Sequence, residues 1–163
     1  MLKLGAVVAV CLYSVSAFAC GLHQSAGFNM TIEQGSLDVF SSVIEVRQSG
    51  EFNNANKPDH FRLFSFKSSL EEPHANKVDF TLFEAVKGHY SDVKMEPSVQ
   101  VTGKDILPTQ AEVMLVTELD ILDALATGIL SWDEAKHLGL VHINGPEQKK
   151  RALDVWFTGI FQG

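Results

Sequence analysis

Apolar residues recur along the first half of the chain with two different periods. In residues 36–50 and again in residues 58–73 they recur every three or four positions, which predicts two helices, the second one unusually rich in phenylalanine. Further on the period becomes two, and turn-forming residues divide the stretch into three short strands, at 78–83, 89–95 and 99–102. Helices followed by a run of short strands are typical of an α+β protein.

The second half of the chain starts with a short apolar run, residues 113–116, which predicts a strand buried on both faces. A helix follows over residues 119–126, because its leucines fall on one face. Thr117 is the predicted N-cap of this helix, with Asp120 three residues on as its capping partner. Gly128 is predicted to end it in the left-handed conformation.

A second helix and a second strand complete the pattern. Ser131 and Glu134 have the spacing of a capping box, which predicts a short helix that Gly139 ends. Residues 140–143 predict a strand, and Pro146 stands where the first residue of a final helix is expected. The whole pattern predicts one α+β domain: a single antiparallel-rich twisted sheet of about five strands with helices packed on one face.

This order of elements resembles the C-terminal half of the sterol carrier protein 2-like (SCP2-like) family. The residues that carry the resemblance are Leu125 to Gly128 and the stretch Gly-Leu-Val-His-Ile-Asn-Gly at 139–145, and it extends over about residues 75–161. It implies an SCP2-like fold with an apolar space that holds lipid acyl chains or sterols. Residues 131–141 are also similar to a helix of crotonase and Clp-protease folds, but those folds need more α/β repeats than this chain supplies.

The N-terminus has the three parts of an export signal. Lys3 supplies the positive charge, residues 4–13 an apolar core too short to span a bilayer, and Ala17-Phe18-Ala19 a cleavage site. We therefore expect a periplasmic or secreted protein. The predicted division of the chain is residues 1–19 as signal peptide, 20–34 as an N-terminal arm and 35–163 as the single SCP2-like domain.

The charge and the cysteine content of the chain limit the kinds of partner and covalent link that are possible. A net charge of −7 at pH 7 repels polyanions, so nucleic-acid binding is excluded and tight adsorption to an anionic membrane is disfavoured. Cys11 leaves with the signal, so Cys20 is the only cysteine of the mature chain and no intramolecular disulfide can form. Its position directly after the cleavage site allows a lipid anchor, although Ala17 and Phe18 do not match the usual lipoprotein signal.

Large apolar residues on the helices predict the binding site. Those of the last helix fall on a single stripe, and the aromatic residues of the second helix add more rings than one small sheet needs. Ordinary core packing is the alternative explanation for each of them. The predicted pocket residues are Phe61, Phe64, Leu115, Leu122, Leu125, Leu153, Trp156, Phe157 and Ile160. The predicted function is an exported carrier of a lipid, sterol-like or fatty acyl ligand.

A different function follows from Cys20 and His23, which could bind a soft metal together with the free N-terminus. Two side chains are few for a metal site, so this alternative describes an accessory protein of an exported redox or metal system. No catalytic motif is visible, and we expect neither enzymatic activity nor a cofactor. The acidic residues of the 119–126 helix, Asp120 and Asp123, are interpreted as charges that the helix dipole favours.

Overall fold

The structure is a computed structural model, and it describes residues 32–52, 54 and 56–163. The predicted signal peptide, residues 1–19, and nearly all of the predicted arm lie outside this part of the chain, so both remain predictions. Within the described residues, no helix combines the length and the apolar character needed to cross a bilayer.

Five helices and five strands make up this part of the chain, in the order that the pattern predicts. The helices are α1 (Ser36–Ser49), α2 (Asp59–Glu71), α3 (Leu119–Ala126), α4 (Trp132–His137) and α5 (Glu147–Ile160). The strands are β1 (Phe80–Glu84), β2 (His89–Lys94), β3 (Gln100–Gly103), β4 (Met114–Thr117) and β5 (His142–Asn144). All of the predicted elements are therefore present, with ends shifted by a few residues.

The strands form one open sheet in the order β3-β2-β1-β4-β5. Neighbouring strands are antiparallel except for β1 and β4, which run parallel with Leu82 opposite Leu115. The predicted α+β class is confirmed, and the sheet is mixed rather than purely antiparallel. The parallel pair forms because the chain crosses the sheet once, between β3 and β4, and a parallel pairing requires such a crossover.

Successive side chains of a strand point to opposite faces, so the register sorts the sheet into two surfaces. Phe80 and Leu115 lie on one of them, which we call the ring face. Phe83 and Val116 lie on the other, which we call the far face. All four side chains are buried, so both faces of the central strands are covered.

Most helices gather over the ring face. The ring centroid of Phe157 in α5 lies 5.7 Å from that of Phe80, and α2 reaches the same layer through Phe66. The third helix packs on α2, and α4 packs on α5. The first helix, α1, begins against the far face, where Asn144 donates a hydrogen bond to the carbonyl oxygen of Gln34 over 2.9 Å.

The two capping predictions have different outcomes. The Ser131–Glu134 capping box is confirmed, with the Ser131 side chain and the Glu134 carboxylate each bonded to the other residue's backbone N–H. Thr117 as N-cap is wrong, because this residue ends β4 and Glu118 takes the cap position of α3. The Thr117 hydroxyl instead donates to the carbonyl oxygen of Leu140 over 2.8 Å, which ties the end of β4 to the approach of β5.

Candidate functional site

Six aromatic rings form a buried cluster between the ring face and the helices, and Phe157 lies at its centre. The cluster, called the ring cluster below, consists of Phe66, Phe80, Trp132, Trp156, Phe157 and Phe161. The distances from the Phe157 centroid to the other five run from 5.0 Å for Trp132 to 6.4 Å for Phe66. These contacts are edge to face, the geometry that aromatic quadrupoles favour.

The local sequence of α5 explains why the cluster forms there. Leu153, Trp156 and Phe157 are spaced by three and four residues, so they share one face of the helix, and all three are completely buried. Val155 points the other way and is 53 % exposed. The stripe that the sequence predicts on the last helix is therefore its inner face.

The structure separates the nine predicted pocket residues into two groups. Phe61 and Phe64 do not join the others, because they lie on the outer side of α2 and are 54 % and 71 % exposed. The other seven belong to one apolar core, six of them fully buried and Ile160 half-buried against it: Leu115, Leu122, Leu125, Leu153, Trp156, Phe157 and Ile160. That these residues line a ligand pocket remains a prediction.

The two tryptophans of the ring cluster differ at their indole nitrogens. Trp132 Nε1 donates to Asp154 Oδ1 over 2.7 Å, and Lys136 Nζ donates to the same oxygen over 2.9 Å. Burial opposes the ionisation of Asp154, but these two donors hold its pKa below the ordinary value. Trp156 Nε1 is buried and finds no acceptor among the described residues. The sequence predicts both rings in the interior but carries no signal for this difference.

The acidic residues of α3 are buried, which corrects their interpretation as simple helix-dipole charges. Arg47 of α1 donates to both carboxylate oxygens of Asp120, over 2.7 and 2.9 Å, and to Glu118 over 3.2 Å. Hydrogen bonding to Asp120 raises the pKa of Arg47, while burial raises the pKa of Glu118. A charged group can be buried here because it is paired with an opposite charge.

A second set of polar contacts attaches the connection between α1 and α2 to the same helix. Lys57 Nζ forms an ion pair with the buried Asp123, and Asn54 Nδ2 donates to the backbone oxygen of Asp120 over 2.7 Å. These contacts hold the start of α2 on α3. They therefore position α2, with Phe66 on its inner side, over the ring cluster.

A surface groove of about 330 Å³ lies between β5 and α5. Its lining includes Lys136, Lys150 and Arg151, but the first pairs with Asp154 and the other two pair with Glu147. Each of these cations therefore has a carboxylate partner, but the single carboxylate of Glu147 is shared between two of them.

The predicted metal ligands, Cys20 and His23, lie outside the described residues, so the metal site stays a prediction. Within residues 32–52, 54 and 56–163, no group of three or more His, Cys, Asp or Glu side chains is arranged to hold a metal ion.

Comparisons with known proteins give structural likenesses only. No protein-family model and no curated protein sequence matches the chain. Among solved structures, sterol carrier protein 2-like 3 of Aedes aegypti is 14 % identical, with a TM-score of 0.43 over 61 % of this chain and 96 % of that one. Sterol carrier protein 2-like 2 of Aedes aegypti is 13 % identical, with a TM-score of 0.42 over 59 % and 93 %.

A third solved structure is the apo form of sterol carrier protein 2 from Yarrowia lipolytica. It is 16 % identical, with a TM-score of 0.35 over 71 % of this chain and 89 % of that one. All three structures carry the name of the family that the glycine and apolar pattern of residues 75–161 resembles.

Proposed function

We propose that this protein is an exported carrier that binds a hydrophobic ligand, of lipid, sterol-like or fatty acyl type, and releases it unchanged. The binding site is the layer between the ring face and the helices α2, α3 and α5. Export rests on the signal pattern of residues 1–19, and the binding function rests on the chemistry of the ring cluster.

The observation that carries the proposal is the indole N–H of Trp156. An N–H group that is buried without an acceptor costs about 1–3 kcal/mol, so buried donors nearly always have a partner. No group of the described residues accepts from this nitrogen, and the two rings beside it, Phe80 and Phe157, carry no oxygen. A long apolar ligand that carries one hydroxyl, carbonyl or carboxylate oxygen would supply the missing acceptor.

Contact with a neighbouring ring is a weaker way to satisfy the same donor. The Phe80 and Phe157 centroids lie 6.3 and 5.2 Å from that of Trp156, with the ring planes at 74° and 73°. An N–H donor that points at an aromatic face gains only a second-order interaction compared with an oxygen acceptor. A ligand oxygen therefore remains the better partner for this nitrogen.

Native mass spectrometry of the protein purified from its own host tests the proposal. We expect a co-purified lipid, and we expect the emptied protein to take up a fluorescent fatty acid. A protein that is free of lipid in its host and also takes up no fatty acid contradicts the carrier function.

Two single substitutions locate the site in the same assay. Trp156→Phe keeps an aromatic ring but removes the indole N–H, so we expect fatty-acid affinity to fall by about three- to tenfold, the equivalent of one net hydrogen bond. Trp132→Phe removes the same group from a ring whose N–H already has a partner in Asp154. It is the matched control, and its affinity should stay within about twofold of the wild type, because a change well below 1 kcal/mol is expected. Equal losses in both variants would show that the Trp156 N–H does not bond to the ligand.

A further inference from the structure

The hydrogen-bonding groups of the ring cluster limit the kind of ligand oxygen that fits it. The polar atoms of its six side chains are the indole nitrogens of Trp132 and Trp156, and Trp132 Nε1 already donates to Asp154. Trp156 Nε1 finds no acceptor among the described residues. An indole N–H is an uncharged donor, and an indole ring has no atom that accepts a hydrogen bond well. The cluster therefore matches a ligand group that accepts one hydrogen bond and donates none.

The charges that are almost fully buried in the described part of the chain are all negative. They belong to Glu84, Glu118, Asp120 and Asp123. Their cationic partners lie nearer the surface, since the side chains of Arg47, Lys57 and Lys87 are 30–45 % exposed. A ligand carboxylate inside the fold would therefore be repelled by buried charges of its own sign, and the cations are already paired with those charges.

Three further side chains that can carry a positive charge contact the layer, each at its edge. They are Lys136 over the ring of Trp132, Lys77 at the carbonyl oxygen of Leu70 and His74 beside Gly159 of α5. The ammonium group of Lys136 is bonded to Asp154, and that of Lys77 is directed to the end of α2. None of these contacts involves Trp156, so none of them places a cation at the unpartnered nitrogen.

We propose that the ligand is an uncharged lipid whose buried oxygen only accepts a hydrogen bond, which is the chemistry of an ester or ketone carbonyl. This inference rests on the proposed function and names the ligand class of the same site. An alcohol is uncharged too, but its own O–H would need an acceptor that the six rings do not supply. An ionised fatty acid accepts hydrogen bonds, but apolar surroundings strongly disfavour its charge.

A fatty acid enters such a site as the neutral acid. A buried carboxylate without a cationic partner takes up a proton from solution instead of staying charged. Above the pKa of the free acid, the neutral fraction falls about tenfold for each unit of pH. A fatty acid is therefore a usable ligand at neutral pH, but a weaker one than its ester, and its affinity should rise as the pH falls.

Three medium-chain ligands of one chain length separate these cases: the methyl ester, the alcohol and the free acid. Each competes with a fluorescent methyl ester for the mature protein. At a pH of about 8 the ester should bind more tightly than the alcohol, and at least about tenfold more tightly than the acid. Between about pH 8 and pH 6 the affinity of the acid should rise by nearly tenfold for each unit. The ester and the alcohol do not titrate in this range, so any change in their affinity measures titration of the protein itself.

Single substitutions show whether the ester oxygen bonds to the indole. Trp156→Phe should weaken binding of the ester by about three- to tenfold, the equivalent of one net hydrogen bond. The alkane of the same length has no oxygen, and its affinity should change by less than about twofold. Trp132→Phe is the matched control, because its N–H is bonded to Asp154, and both ligands should bind to it nearly as to the wild type. Circular dichroism and urea unfolding establish that each variant is folded.

Three results overturn the inference and leave the carrier function standing. The first is an acid that binds as tightly as the ester without any change with pH, since the ionised headgroup would then be the bound form. The second is an alcohol that binds more tightly than the ester. The third is an ester that Trp156→Phe weakens no more than it weakens the alkane. A protein that binds neither the fluorescent ester nor any competing ligand contradicts the carrier function itself, and the inference with it.

Discussion

Trp132 and Trp156 are both fully buried and both pack edge to face on Phe157, but among the described residues only Trp132 finds a partner for its indole nitrogen. Trp132 begins α4 at the rim of the core, where Asp154 is still partly exposed and accepts its hydrogen bond. Trp156 lies in the middle of α5, against Phe80 of the sheet, where no described side chain offers an acceptor.

The difference between the two rings distinguishes a tryptophan that stabilises the fold from one that is a candidate for ligand binding. A polar atom at the rim is satisfied by the fold itself, and its role ends with holding α4 on α5. A polar atom at the centre that the fold leaves without a partner is a cost that packing alone does not explain. Substitutions at these rings either strengthen this contrast or remove it.

The largest effect on stability is expected at Phe157, the ring that both tryptophans contact. Phe157→Ala should lower the free energy of unfolding by about 3–5 kcal/mol, the usual cost of removing a buried phenyl ring. Urea unfolding measures it, with Phe64→Ala as control, because an exposed ring should change stability by no more than about 0.5 kcal/mol. A loss below about 1 kcal/mol for Phe157→Ala would mean that the ring cluster is loosely packed and that the contrast between its tryptophans has no structural meaning.

We expect a smaller difference in stability between the two tryptophan variants. The change from indole to phenyl removes the same volume at both positions, but only Trp132→Phe breaks a hydrogen bond to a carboxylate. We expect Trp132→Phe to be less stable than Trp156→Phe by about 1–2 kcal/mol in the ligand-free protein, the lower part of the range for bonds to charged groups since Asp154 is partly exposed. Equal losses in urea unfolding would show that Trp156 has a hydrogen-bond partner after all.

Local spacing was enough to predict part of this fold. Ser131 and Glu134 are three residues apart and form the predicted capping box. The same reasoning failed for Thr117, because its partner Leu140 is 23 positions away in the sequence. It failed for Asp120 too, since Arg47 is 73 positions away. A cap depends on neighbours in sequence, whereas a buried polar group is determined by whatever the fold brings next to it.

The candidate site was predictable to a similar extent. On α5 the side opposite the apolar stripe is mostly polar, with Val155 as an exception, so the inward direction of Trp156 and Phe157 follows from spacing. On α2 both sides carry phenylalanine, so the sequence could not decide that Phe66 faces the core while Phe61 and Phe64 face outward. The unpartnered nitrogen of Trp156 was not predictable, because it depends on the apolar surface of a strand that lies opposite.

The smallest expected effect is a change with pH in the stability difference between wild type and a tryptophan variant. The folded-state pKa of Asp154 is lowered, so its ionised form contributes stability above the unfolded value of about 3.8, and this contribution is lost as the pH falls through the lower folded value. The difference in unfolding free energy between wild type and Trp132→Phe should therefore shrink below a pH of about 4. Trp156→Phe, which has no carboxylate partner, should keep a constant difference from wild type over the same range. A constant difference for both variants would show that Asp154 does not contribute through Trp132.

The two indole N–H signals of the ¹⁵N-labelled protein test the central claim most directly, since the chain has only two tryptophans. Titration with a fatty acid should move the Trp156 signal downfield, as its N–H gains an oxygen acceptor, and should leave the Trp132 signal in place. Trp132→Phe and Trp156→Phe assign the two signals. Saturating binding that leaves the Trp156 signal unmoved, or that moves only the Trp132 signal, would contradict a ligand site at the centre of the ring cluster.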